Sequence, residues 1–270
     1  MKVRQWLCVT CCIAFSLPTM SAAPAVIAER SVVRIIAKNI DSTISFGSGV
    51  AIDIEAIATT CHTLRRARAL TVEVGGKQAH ATLVAADADK DVCVLNVPGL
   101  RLKPVAIRPI DSINVGARVV AASFPAGREL TLREGRIEAL HAYQSSSIIQ
   151  TSTTFDRGAS GGALLTADGE LVGLLTFKAP EGERFHFAIP AEWIDAVRNT
   201  RSASVLQEDD CAFWEKEPAD RPRFLHAAWH ESKGDWLEVY RHCLEWISAD
   251  PASEEAHRAL KRAIGILAPY

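Results

Sequence analysis

Residues 26–200 consist of short apolar runs broken by turn signals every few residues, a spacing that admits little except antiparallel β structure. Ser31-Val32-Val33-Arg34-Ile35-Ile36 is β-branched and reads as a strand. Thr71-Val72-Glu73-Val74 meets Gly75-Gly76 and is followed by Gln78 to Val84, the pattern of a tight hairpin. Ala163-Leu164-Leu165, Asp168-Gly169 and Leu171 to Leu175 repeat it. So many short strands predict a sandwich or paired barrels, closed by a short helix near Pro190 that puts Trp193, Ile194 and Val197 on one face.

Residues 201–270 differ in kind. They hold four of the six tryptophans and two of the 16 glycines. The charged, proline-containing stretch within 201–223 reads as a linker. Residues 224–270 read as a helical extension, with helices over Phe224–Ser232, Trp236–Ser248 and Ser253–Leu267. Leu237, Tyr240, Leu244 and Ile247 recur at helical spacing and are expected to line one buried face.

The first 25 residues read as a secretory signal rather than as fold. A positive start (Met1 to Arg4), an apolar run from Trp6 to Leu17 and the small-residue exit Ser21-Ala22-Ala23-Pro24-Ala25 form its three parts, with cleavage after Ser21 or after Ala25. The apolar run is too short to span a bilayer of ~30 Å, so no stable membrane insertion is expected. The mature chain is expected to be periplasmic or secreted, with Cys61, Cys93, Cys211 and Cys243 free to form one or two disulfides in three full pairings. Thirty Lys+Arg against 32 Asp+Glu leave a net charge of −2, which argues against nucleic acid as a partner.

Three segments carry chemistry. Thr59-Thr60-Cys61-His62 closes a strand, Asp89-Lys90-Asp91 opens the apolar run Val92-Cys93-Val94-Leu95, and Asp156-Arg157-Gly158-Ala159-Ser160-Gly161-Gly162 is a glycine-rich turn. A serine hydroxyl needs a neighbouring base, imidazole is well matched to that task, and a buried carboxylate holds the imidazole in the right tautomer. The glycines let the backbone turn sharply, so that the N–H groups of Gly158 and Ser160 can form an oxyanion hole. No cofactor and no metal is needed: His226 and His230 stand four apart on a predicted helix, but no third ligand completes a constellation.

In that order, these residues make Ser31–Val197 resemble a trypsin-like serine protease, more narrowly the bacterial HtrA/Deg branch. Gly47-Ser48-Gly49-Val50, Ala81 to Asp87 leading to Asp91-Val92-Cys93-Val94-Leu95, Gly135-Arg136-Ile137-Glu138-Ala139-Leu140, the Ser160 loop and Phe185-His186-Phe187-Ala188-Ile189-Pro190 carry the likeness. The resemblance implies a mainly β, chymotrypsin-like fold of two six-stranded antiparallel barrels, about 26–110 and 111–200. It implies His62 as base, Asp91 as its orienter and Ser160 as nucleophile. It implies substrate-pocket walls from Thr154, Phe155, Leu175, Thr176, Phe187 and Ala188. Thr154 stands where an Asp would select Lys or Arg, so small or medium apolar side chains are the expected preference, and His186 could intrude to favour acidic ones.

The departures matter as much. Ala159 replaces the Asn usual before the nucleophile, so packing, substrate or a partner must order the loop, and resting activity is expected to be low. Cys61 and Cys93 flank His62 and Asp91, which would bring the two thiols together as a disulfide; a Cys211–Cys243 bridge is a second expectation. The tail is too short for a PDZ domain, and Gly234 to Tyr240 leading to Ala249-Asp250-Pro251 resembles one tetratricopeptide repeat. One repeat cannot bury its own face, so residues 224–270 are expected to meet the protease, a second copy or a protein partner. The expected function is an exported serine endopeptidase acting on unfolded or exposed polypeptide segments, as in protein quality control. The rival is a protease-fold binding module, or scaffold, using the cleft and the tail.

Overall fold

The computed structural model describes residues 22–178, 185–200 and 206–268. Most of the expected leader, residues 1–21, lies outside them; its last residues open helix α1 (Ala22–Ser31). Twelve strands follow. β1 (Val32–Asn39), β2 (Ile44–Asp53), β3 (Ala56–Thr59), β4 (Ala67–Val74), β5 (Lys77–Asp87) and β6 (Val92–Asn96) close one barrel in the order β1-β2-β3-β6-β5-β4. β7 (Arg118–Ser123), β8 (Thr131–Tyr143), β9 (Ser146–Thr151), β10 (Ala163–Thr166), β11 (Leu171–Lys178) and β12 (His186–Pro190) close the other in the order β10-β11-β12-β9-β8-β7.

Every strand pair in both barrels is antiparallel, which short local turns allow. Closure removes free sheet edges, and alternation sends one face of each strand inward. Val33, Ile35, Ala51, Ile57 and Leu95 fill the first interior. Val119, Ile137, Ile149, Leu164 and Val172 fill the second. Gly75 (φ +54°) and Gly76 (φ +75°) make the tight β4–β5 turn, a conformation that an L side chain resists. The short helix expected near Pro190 is α2 (Trp193–Asn199); it buries Trp193, Ile194 and Val197 and packs on β5 and β6 of the first barrel, tying the two barrels together.

Cys61, in the turn after β3, and Cys93 of β6 form a disulfide with Cα atoms 5.0 Å apart, whereas Cys211 is exposed and Cys243 is buried, both as free thiols. The Cys211–Cys243 expectation is therefore overturned: Cys243 faces the helix interior. Closing a loop of 32 residues restricts the unfolded chain, so the Cys61→Ala/Cys93→Ala double variant is expected to lose roughly 3–4 kcal/mol in denaturant titration. A loss near zero would show that the bridge carries no stability.

The tail forms α3 (Arg223–Lys233), α4 (Trp236–Ala249) and α5 (Glu254–Leu267). Gly234, at φ +74°, ends α3 in the left-handed conformation, and the Ser253 hydroxyl caps α5 by accepting from Ala256 N. The tail docks on barrel two. Phe224 stacks on His141 of β8 at 4.4 Å between ring centroids, and Glu255 pairs with the same imidazole. The buried seam of α4 is Val239, Cys243 and Trp246; of the stripe expected from periodicity, Tyr240 and Ile247 are partly buried against the core, whereas Leu237 and Leu244 are exposed. Two apolar stripes compete on this helix, and contact with α3 and α5 selects one. Residues 206–223 do not behave as a loose linker. Phe213 is fully buried and its N–H donates to Asp89 O at 2.9 Å, while Arg65 of barrel one grips Glu215 through two hydrogen bonds.

Candidate active site

β3 ends at Thr59, and the chain turns through one loop of 3₁₀ helix, Cys61–Thr63, which carries His62 to the barrel rim. Asp91 sits just before β6 in the left-handed conformation (φ +61°), a strained placement for a residue with a side chain. It is fully buried and accepts three hydrogen bonds. The His62 backbone N–H reaches Oδ1 at 2.9 Å, His62 Nδ1 reaches Oδ2 at 2.7 Å, and the Thr176 hydroxyl reaches Oδ2 at 2.6 Å. An ionised carboxylate only accepts, so Nδ1 carries a proton, and whenever the imidazole is neutral the lone pair is on Nε2. Burial pushes the Asp91 carboxyl up; a protonated His62 imidazole, together with the donors from His62 and Thr176, outweighs it and holds the group below the usual carboxylate range.

Ser160 Oγ donates to the Thr176 carbonyl at 3.1 Å. Thr176 on β11 is therefore the junction of the site: its carbonyl holds the serine and its hydroxyl holds the carboxylate that orients the histidine. Three side chains from distant parts of the sequence meet through one residue.

The turn around Ser160 is pinned by barrel one and by the β7–β8 loop. Arg157 O accepts from Ala126 N at 2.7 Å, Gly158 O from Ser48 Oγ at 2.9 Å, and Ser160 O from Ser48 N at 2.8 Å. The same Ser48 hydroxyl accepts from Phe124 N at 2.9 Å. A trans peptide points its N–H opposite its carbonyl, and no described peptide bond is cis. With Arg157 O turned toward Ala126, the Gly158 N–H faces away from that loop. With Ala159 O taken by Gly162 N, the Ser160 N–H is likewise turned outward. Neither N–H donates to an internal acceptor among the described residues. Gly158, at φ +89°, could not be replaced: a Cβ would lie 2.5 Å from Ala126 N. Ala159 is fully buried in the barrel-two core, so the ordering that the missing Asn left open comes from packing and from Ser48.

The six expected wall residues do not line one pocket. Thr154 and Phe155 border a cavity of about 1470 Å³ together with Arg34, Arg128 and Arg157. Leu175 and Ala188 are fully buried opposite one another on β11 and β12, and Phe187 is fully buried with its ring stacked on Phe177 at 4.7 Å. Leu175 and Ala188 face the barrel-two interior; Phe187, one residue before Ala188, faces the opposite side against Phe177 and Phe224, and Thr176 serves Asp91. His186 is buried edge-on to Phe155 at 4.7 Å, so it does not reach out to solvent.

Sequence reasoning missed three participants. Ser48 stood out only as part of a motif, Thr176 only as a wall, and Trp214 not at all. Trp214 meets His62 edge-on at 5.3 Å and stacks on Phe177 at 4.9 Å. Its one local signal is the aromatic pair Phe213-Trp214 inside a charged stretch. His226 and His230 do not converge on a ligand. His226 Nε2 donates to Pro218 O, and His230 approaches Asp235. Among the described residues no group of three or more His, Cys, Asp and Glu is placed to hold a metal.

Residues 47–174 match the family model of the trypsin-like peptidase domain, a span that includes His62, Asp91 and Ser160. The periplasmic serine endoprotease DegP of Escherichia coli (strain K12) is 31% identical over 173 residues, covering 60% of this chain and 36% of the relative. The chain thus spans about a third of the length of the curated relatives it matches. Among solved structures, a serine endoprotease from Yersinia pestis superposes with a TM-score of 0.62 at 27% identity, covering 68% of this chain and 67% of that one. The HtrA-type protease AlgW with tripeptide superposes equally well, at a TM-score of 0.62 and 26% identity, covering 67% of this chain and 62% of its own.

Proposed function

We propose that this chain is an exported serine endopeptidase that cleaves unfolded or exposed polypeptide segments, a role suited to protein quality control. The observation that carries the reading is the Thr176 junction, which joins Ser160 to an Asp91–His62 pair already in the tautomer a general base requires. In this reading Ser160 Oγ turns from the Thr176 carbonyl to His62 Nε2 and attacks the substrate carbonyl carbon. His62 takes the serine proton, and the buried Asp91 stabilises the imidazolium. The outward N–H groups of Gly158 and Ser160 receive the oxyanion. His62 then protonates the departing amine. Water, deprotonated by the same imidazole, attacks the acyl-enzyme and regenerates the serine. The chain's own residues supply every step. A scaffold would have no use for a carboxylate buried under three donors.

Export is supported by the leader pattern and by relatives named as periplasmic. No helix among the described residues is long and apolar enough to cross a membrane. Of the two cleavage positions, the one after Ser21 leaves α1 whole. In that helix Ala28 is fully buried, and Ala23 and Ile27 lie against Gly169.

The test is reaction of purified protein with a fluorophosphonate probe, alongside digestion of an unfolded protein such as reduced casein read by mass spectrometry. Label confined to Ser160 together with new peptides is expected. A folded protein that neither labels nor cleaves refutes the proposal.

The same reading makes Ser48 a positioning residue. Ser48→Ala leaves Phe124 N and Gly158 O without their buried partner and loosens the Gly158–Ala159 peptide, which lies between the two N–H groups of the oxyanion hole. A fall in kcat of about tenfold with KM little changed is expected, since a fully lost oxyanion donor costs ~10²–10³. A change confined to KM would remove Ser48 from this role.

A further inference from the structure

Resting on the protease reading above, we propose that the groove between β11 and α3 is a subsite for a large apolar side chain of the polypeptide substrate, so that the C-terminal extension sets specificity. Its volume is about 590 Å³, and Phe177, Phe187, Trp214, Leu225, Ala228 and Trp229 supply its apolar lining. That volume is in the range of pockets that hold small ligands, ample for one aromatic side chain.

The occupant follows from where the groove begins. Trp214 touches the His62 ring on one side and the Phe177 ring on the other, so the wall of the groove is in contact with the base. Phe177 directly follows Thr176, whose carbonyl holds Ser160 Oγ. The β11–β12 register breaks between Leu175 and Lys178, which leaves Thr176 and Phe177 outside the ladder with β12. A chain lying across Ser160 and His62 therefore passes this unladdered Thr176–Phe177 segment and presents its side chains to the groove that Phe177 and Trp214 wall.

The wall is rigid rather than a loose cover. Arg65 holds Glu215 and the Asp210 carbonyl, and Phe213 is buried between Tyr143 and Phe177. Of the polar groups that line it, Glu215 is held by Arg65, Arg221 by the Lys216 carbonyl and His226 by the Pro218 carbonyl, whereas Trp214 Nε1 and His230 Nδ1 are buried without a hydrogen-bond partner among the described residues. With most of its lining apolar and no unpaired carboxylate, the groove selects chiefly by apolar shape.

The test uses Ser160→Ala protein and capped alanine-rich decapeptides, in which one phenylalanine is scanned through the sequence. One register is expected to bind at least tenfold tighter than the all-alanine peptide, as the transfer of one large side chain from water implies. Trp229→Ala, made in the same background, should erase that advantage while leaving the alanine peptide unaffected. Ala228→Leu, which narrows the groove, should do the same. In protein with Ser160 intact, the fluorophosphonate labelling rate of both variants should match the parent and so report an undisturbed fold. The phenylalanine preference should reappear there in kcat/KM. Equal binding of all peptides, or equal weakening of all by Trp229→Ala, would overturn the inference. So would a rise in cleavage of every peptide on Trp214→Ala, which would make that ring a gate. Cleavage without selectivity would refute the subsite alone; selective binding without any cleavage would refute the protease reading and leave the subsite standing.

Discussion

Ser160→Ala is expected to cut hydrolysis of unfolded polypeptide by about 10⁴–10⁶-fold while leaving the fold unchanged. Among the described residues the serine hydroxyl makes a single hydrogen bond, to the Thr176 carbonyl, and the side chain is not in the barrel core. Its loss therefore costs little stability, and the Ser48 and Ala126 contacts that hold the loop use backbone atoms of Ser160 and its neighbours. The measurement is initial cleavage rate together with thermal unfolding of both proteins. A variant that retains more than about a hundredth of the rate would mean that another group performs the attack, because oxyanion stabilisation and binding alone supply the small residual activity of such sites.

Asp91→Asn is expected to lower the rate by about 10⁴-fold, for a different reason. Three donors converge on the carboxylate: His62 N, His62 Nδ1 and the Thr176 hydroxyl. An amide offers one acceptor oxygen, and its NH₂ group must face a donor or force His62 into the opposite tautomer. That tautomer places the proton on Nε2, where the serine proton should go. The pH dependence of stability should separate the variants too. The native carboxyl is held below its ordinary range, so its stabilising contribution is present above the unfolded value near ~3.9 and is lost as pH falls through the lower native value. The stability gap between the parent and Asp91→Asn should therefore be full at pH 7 and shrink below about pH 4. A gap independent of pH would mean that Asp91 is not ionised in the native protein.

Local signals carried much of the architecture. The Gly75-Gly76 and Asp168-Gly169 turns, the alternating apolar strands and the apolar face of α2 each depend on neighbours within a few residues, and each stands where the sequence pattern puts it. The tail helices match their predicted spans to within a residue or two, because capping at Ser253 and the left-handed stop at Gly234 are local chemistry. His62, Asp91 and Ser160 were legible as a motif, since their chemistry demands those residue types near glycine and strand ends.

What stayed hidden involves partners far apart in the chain. Thr176 looks like any strand residue until β11 brings it under Asp91, and Ser48 gains its role only when barrel one meets the Gly158 peptide. The Cys61–Cys93 pairing was one of several until β3 and β6 became neighbours. The exposed Leu237–Leu244 stripe and the buried Val239–Cys243–Trp246 seam are equally periodic, and only packing against α3 and α5 distinguishes them. Residues 206–223 have the composition of a linker, yet Phe213 and Trp214 anchor them across the cleft. Sequence by itself determined strands, turns, helices and the identity of the reactive groups, because these follow from short-range sterics and intrinsic reactivity. The tertiary structure alone decided which groups touch, which apolar face is buried and what borders the site, because those outcomes depend on the competition among surfaces that only folding brings together.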